Sequence, residues 1–196
     1  LTAIGGEPQD WARIYGKVMD YAREEDIPVA ISPGSAQLHN KNETLYESIA
    51  ASTILLVNKE EAMNLLDDRG IEHQSEIVSV MRALRNLGPE MFSVTDGSEG
   101  SYFMTQDERI HKLNPFPTEK VDTTGAGDAY AAGLMSGILE GESVSESMRR
   151  GAANASAVIT TYGAGEGLLT RGEMEKSLQT HPTIQPEVIW EPKINL

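Results

Sequence analysis

The 196-residue sequence predicts an α/β fold built on a mostly parallel central sheet, and two observations carry that prediction. Short apolar runs of strand length alternate with helical periodicities, and a glycine-rich turn stands directly at the start of one of the helices. Parallel strands cannot be joined by a tight hairpin and need helical crossovers. Such alternation sets helices on both faces of the sheet, a three-layer α/β/α sandwich, and gathers ligands at the carboxyl ends of the strands.

The first helix is read over residues 10–25, where Trp11, Ile14, Tyr15, Val18, Met19 and Ala22 recur at three- and four-residue spacings. Pro28 to Ile31 follows as a short buried strand, and Ser32-Pro33-Gly34-Ser35 turns the chain. A weaker helix over residues 43–50 leads to Thr53-Ile54-Leu55-Leu56-Val57, a continuous apolar run typical of a strand covered on both faces. Asn58 is well placed to cap the next helix, with Glu60 and Glu61 in its first turn, where carboxylates favour the positive end of the dipole. A helix over residues 76–86 precedes a third buried strand, Met91 to Thr95. Residues 101–106 and 109–114 read as an antiparallel edge hairpin. Two further helices are expected, one from the Gly125 to Gly127 turn to near Gly141 and one over residues 144–161. Residues 181–196 contain three prolines and read as a surface tail. No repeat, low-complexity stretch or linker divides the sequence, so residues 1–196 are expected as one α/β domain.

Composition removes several classes of function. There is no cysteine, so disulfides and thiolate metal sites are excluded, and the four histidines form no H-x-x-x-H pair. A formal charge of −14, from 16 basic and 30 acidic residues, repels polyanions at long range and argues against nucleic acid. No apolar run approaches the roughly 20 residues of a membrane span, and a cytoplasmic setting is expected. A small phosphate ligand is still compatible with this charge, because local amides and a divalent cation can hold it.

The strongest local signal is Val121-Asp-Thr-Thr-Gly-Ala-Gly-Asp-Ala-Tyr130. A glycine turn there delivers free amides to a helix start, and with the helix dipole these form an anion site. Beside a phosphate, Asp128 would be repelled unless it has work to do. Accepting the proton of an attacking hydroxyl is such work, while the amides of Gly125, Ala126 and Gly127 steady charge on a transferring phosphoryl group. Spacing alone leaves a second reading open, in which Asp128 caps a helix whose glycines serve close packing.

Asp122-Thr-Thr-Gly-Ala-Gly-Asp128-Ala-Tyr-Ala-Ala-Gly133 closely resembles the C-terminal signature of the ribokinase and phosphofructokinase-B family of sugar kinases, and the resemblance spans roughly residues 54–167. It lacks the lysine of a Walker loop and is not a strand-linked G-x-G-x-x-G. The resemblance implies a ribokinase-like fold and an ATP-dependent transfer to a hydroxyl of a sugar or nucleoside, with Asp128 as base. Asn58-Lys-Glu-Glu61 resembles the family's N-x-x-E motif, which implies Asn58 near the phosphates and Glu61 ordering Mg2+; a plain helix cap is the other reading. Thr95-Asp-Gly-Ser-Glu-Gly100 resembles the strand-end turn along ATP, with Thr95, Gly97 and Gly100 as contacts, or else is a turn before a hairpin. Residues 152–167 resemble the helix and loop over the adenine, with Asn154 as a contact or a solvent-facing helix residue. In many members that loop completes a K+ site, which by resemblance would comprise Asp122 and the backbones of Thr124, Val158, Gly163 and Gly167.

The family's N-terminal glycine-rich strand region and sugar-covering lid have no counterpart in residues 1–35, so the chain is expected to be a fragment of a longer kinase. A homodimer is expected of the full-length protein, since the lid forms the dimer contact in many relatives. The alternative is a short, non-catalytic nucleotide-binding module that has lost the sugar-binding region.

Overall fold

A computed structural model describes residues 1–40 and 42–193, with eight α-helices and six strands among them. The chain divides into two compact units: Leu1–Val94 with Met104–Asp107, and Thr95–Phe103 with the chain from Glu108 onward.

In the first unit, α1 (Pro8–Glu24) starts two residues earlier than expected, because Pro8 occupies the first helical turn, where its missing N–H costs nothing. Its buried stripe is narrower than the sequence pattern: Trp11, Tyr15, Met19 and Ala22 are inside, while Ile14 and Val18 are 40% and 38% exposed. The next elements are β1 (Ala30–Ile31), α2 (Ser35–His39), α3 (Glu43–Ala50) and β2 (Ile54–Asn58). The short α2 stands where only a turn was expected. Buried Gln37 explains it, accepting from the Gly34 amide and donating to the carbonyl of Ile4. β1 and β2 pair in parallel, Ala30 with Ile54 and Ile31 with Leu55. Leu1 also bonds along β1, donating to Ala30 and accepting from Ser32. α4 (Lys59–Asp68), α5 (Ile77–Leu84) and β3 (Met91–Thr95) complete the pattern, with the strands in the order β1, β2, β3.

The second unit holds β4 (Ser101–Met104, of which Met104 falls in the first unit), β5 (Ile110–Leu113), α6 (Ala126–Leu139), α7 (Val144–Val158), α8 (Arg171–Thr180) and β6 (Glu187–Trp190). The expected hairpin strands are neighbours, but β5 is not at the edge: β6 pairs antiparallel with it, with a register shift between Ile110 and His111. The segment read as a tail thus carries a strand; its residues 194–196 lie outside the described residues. The sequence pattern missed α8, although its capping box, Thr170 with Glu173, is a recognised helix start.

α6 and α7 pack at unusually close range. A β-carbon on Gly133 would lie 2.6 Å from the carbonyl oxygen of Arg150 and 2.9 Å from the α-carbon of Gly151. Backbone cannot yield as a side chain does, so Gly133→Ala is expected to destabilise the protein by about 1–3 kcal/mol. Gly16, inside α1 with open space around it, is the control: Gly16→Ala should stabilise by roughly 0.5–1 kcal/mol. Urea unfolding midpoints of the two variants, shifting in opposite directions, check both.

Candidate functional site: the glycine turn and the pocket beside it

The motif read from sequence folds as a left-handed turn that opens a helix. Gly125 is the N-cap of α6 at φ 79°, a conformation that residues with a side chain rarely adopt. It is also wedged in place: a β-carbon there would lie 2.5 Å from the Ala164 carbonyl oxygen and 2.7 Å from its α-carbon. The helix start is therefore defined by its contact with the loop that follows α7.

Asp122 ties the same two segments together. Its Oδ1 accepts from the Thr124 amide at 3.0 Å and the Thr124 hydroxyl at 2.8 Å, and its Oδ2 accepts from the Gly163 amide at 3.1 Å. Hydrogen bonds to the charged form hold its carboxyl below the ordinary aspartate range, the Thr124 amide contributing most, then Gly163 and the Thr124 hydroxyl. The amides of Val121 and Asp122 add bonds to the Ile159 carbonyl at 2.8 and 3.2 Å.

Asp128 is in the opposite situation. It occupies the first turn of α6, exposed, and its carboxylate has no hydrogen bond or ion pair among the described residues. It does not cap the helix; the N-cap position has no side-chain bond. Among the described residues, the amides of Gly125, Gly127 and Asp128 also donate to nothing, as expected of a helix N-terminus. Ala126 differs from its expected place in the anion hole, because its amide donates to Thr123 at 3.2 Å. The available donors are therefore Gly125, Gly127 and Asp128.

A pocket of about 400 Å³ adjoins this turn within the second unit. Thr123, Ala126 and Gly127 line one part, and Thr95, Gly97 and Gly100 of the β3 turn line another. Ala152, Ala155 and Ile159, from the segment expected over the adenine, also line it, whereas the wall of Pro115, Phe116, Thr118 and Lys120, with Tyr130, was not anticipated. The run Asn114-Pro-Phe-Pro-Thr118 was its readable signal, since a residue before proline is held extended and an aromatic there must find cover. Although 30 of the 196 residues are acidic, the described lining contains no carboxylate and one lysine. A wider groove of about 970 Å³ lies between α4 and α5, and unlike the pocket beside α6 it is lined by the carboxylates Asp67, Glu72 and Glu76.

Asn154 is not on the pocket wall. It is buried, and its amide bridges two segments, donating to Ala129 at 2.8 Å and accepting from Leu169 at 3.0 Å. The contact expected with adenine is replaced by a staple between α6 and the chain after α7. The carbonyl of Val158, expected as a cation ligand, accepts from the Thr161 amide at 3.2 Å, and the Thr161 hydroxyl, with its one hydrogen, lies within reach of the carbonyls of both Val158 and Glu166, at 3.1 and 3.0 Å. Gly167 packs on the Ala157 carbonyl at φ 82°.

Asn58 and Glu61 belong to the first unit, at the head of α4. They form a reciprocal cap: the Glu61 amide donates to Asn58 Oδ1 at 2.8 Å, and the Asn58 amide to Glu61 Oε2 at 2.9 Å. The cap reading of this tetrapeptide is thus realised, and it leaves the magnesium role as a separate question. Among the described residues, no three acidic or histidine side chains cluster as a metal site, and no helix is long and apolar enough to cross a membrane.

Comparison with known proteins shows the family and the fold. The chain is 25% identical over 167 residues to 5-dehydro-2-deoxygluconokinase 1 of Bacillus cereus, covering 83% of this chain and 50% of that protein. It is 29% identical over 162 residues to the ribokinase of Bacillus subtilis, with the same coverage of 83% and 50%. Among solved structures it resembles a Methanocaldococcus jannaschii nucleoside kinase, with a TM-score of 0.72 and 27% identity over 91% of this chain and 55% of that one. It also resembles Arabidopsis thaliana ribokinase complexed with ribose and ATP, with a TM-score of 0.75 and 26% identity over 86% and 53%. The chain spans about half the length of the curated relatives it matches. The fold is the ribokinase-like α/β fold. The family model for pfkB family carbohydrate kinases matches residues 3–171, and the chain belongs to that family.

Proposed function

We propose that this chain carries the phosphoryl-donor site and the catalytic base of an ATP-dependent kinase whose acceptor is a hydroxyl of a sugar or nucleoside. The observation that carries the reading is the first turn of α6, where unbonded amides and an unbonded, exposed carboxylate share one helix N-terminus beside a pocket lined by no acid. The class of acceptor follows the names of the relatives, which are kinases of sugars and nucleosides.

The two ends of the pocket suit the two ends of ATP. Free amides and the positive end of the helix dipole favour the phosphates. The apolar stretch of Pro115, Phe116, Ala152, Ala155 and Ile159 suits a base. In the reaction, the acceptor hydroxyl loses its proton to Asp128 as its oxygen forms a bond to the γ-phosphorus. The bond between that phosphorus and the β-γ bridging oxygen breaks, and ADP leaves with the electron pair. The amides of Gly125 and Gly127 are preorganised for the charge on the transferring group.

Magnesium supplies neutralisation of the phosphate charge when bound. Carboxylate oxygen is the donor type it takes, and Glu61, of the motif with Asn58, is the residue proposed for it by family resemblance alone. No step is routed through potassium.

Three measurements test this reading. Asp128→Asn should lower kcat by about 100- to 10,000-fold with the Kd for magnesium-ATP changed by less than about twofold; a kcat that stays near the wild-type value removes Asp128 from the role of base. Gly125→Ala, strained at positive φ and pressed against Ala164, should lose about 1–3 kcal/mol of stability and weaken ATP binding. Asp122 sets a pH dependence. Its carboxyl is depressed in the fold, so its stabilisation is complete above the ordinary aspartate pKa of about 3.9 and is lost as pH falls through the lower folded value. The urea midpoint of Asp122→Asn should lie below wild type at pH 7, and the gap should close toward pH 3.

A further inference from the structure

We propose that Arg149 and His181 are positioning residues for the base end of the pocket, a role that rests on reading that pocket as the nucleotide site. Arg149 projects from α7 with its side chain only 8% exposed. Its guanidinium uses four donors: Nε to the Ile184 carbonyl at 2.9 Å, Nη1 to Glu146 Oε2 at 2.9 Å, and Nη2 to the carbonyls of Leu178 and His181 at 2.9 and 3.1 Å. Three of these acceptors belong to the end of α8 and the loop after it. Helix ends leave their last carbonyls without partners and carry partial negative charge. α8 has no basic residue in its own last turn, so the cation is supplied by the neighbouring helix.

That fastening has a target in the pocket. His181, the C-cap of α8, stacks its ring on Phe116 with centroids 4.9 Å apart at 46°. Phe116 lines the pocket, and its carbonyl accepts from the Ser156 hydroxyl of α7 at 3.4 Å. Phe116 is thus held on one side by α7 and on another by His181, which α7 itself holds through Arg149. The His181 Nδ1 lies 3.1 Å from the Ser177 carbonyl, at a helix end that Arg149 already caps. Residues 178–184 lie beyond the stretch matched by the family model, which ends at residue 171.

A role in stability alone would affect every ligand equally, whereas a role at the base end would not affect a ligand without a base. Calorimetric binding of magnesium-ATP and of magnesium-tripolyphosphate is therefore compared in wild type, His181→Leu, His181→Phe and Arg149→Lys, with folding checked by thermal melts. His181→Leu keeps apolar volume but no ring, and should weaken ATP binding about 3- to 10-fold with tripolyphosphate binding unchanged. His181→Phe restores the ring and should bring ATP binding back to within about twofold of wild type. Arg149→Lys keeps the charge but not the planar fork, and should shift ATP binding in the same direction as His181→Leu. Equal losses for both ligands, or no loss for either, would overturn the proposal while leaving the pocket a nucleotide site. Wild type that binds tripolyphosphate but gains nothing from the adenosine moiety overturns the reading of the pocket, and the positioning role with it.

Discussion

The site depends on one constraint, the docking of the Asp122 to Gly125 turn against the loop after α7. A helix N-terminus binds anions only if its first turn is held in register, and the first turn of a helix is where fraying is expected. Here the holding comes from outside the helix. Asp122 accepts three hydrogen bonds that span the turn and Gly163, two amides of the turn bond to Ile159, and Gly125 fits against Ala164 only because it has no β-carbon. Further along, the same two helices approach through Gly133, so α6 is fixed to α7 at its start and along its face.

Two aspartates six residues apart in one motif therefore have opposite fates. Asp122 accepts from three donors and serves geometry; the Asp128 carboxylate has no partner among the described residues and is the group proposed for chemistry. The difference is backbone position. Asp122 precedes the turn, where its carboxylate faces the amides that the turn turns inward. Asp128 follows it as the third helical residue, where a carboxylate can reach back to the N-cap amide in a capping box, as Glu61 and Glu173 do here. In α6 that reach is not made, and the left-handed cap at Gly125 is the local difference.

How much of this was legible in the sequence follows from the range of each interaction. The α/β alternation, β2 and β3, and the start of α6 depend on patterns within a dozen residues, and they were readable. The Phe116 side of the pocket was not, because that residue meets α7 only in the fold. Asn154 shows the same limit from the other side: a polar residue on a helix face can point to a ligand, to solvent or to a carbonyl, and only the fold places Ala129 and Leu169 at its two ends. The missed β6 is a tertiary effect too, since four half-exposed residues between prolines have little strand signal until β5 offers its edge. Family resemblance located the motif but could not show that Asp122 is a staple, because staple and ligand need the same residue.

The same distinction between local and global terms resolves the charge of the protein. A net charge of −14 sets an unfavourable field for a polyphosphate at a distance. At physiological ionic strength that field is screened over about 8 Å, so what decides binding is the set of charges within roughly one screening length of the ligand. In this pocket those nearest neighbours are amides, hydroxyls and Lys120, with no carboxylate in the lining. Asp128 stands just outside that lining, at the same helix start. A base needs to be near the reacting phosphoryl group but not in contact with the donor's other phosphates. Under the proposed kinase reading, the position of Asp128 as the third helical residue after the glycine cap, with the amides between, would meet both requirements and would let an acidic protein take an anion to which it is not globally complementary.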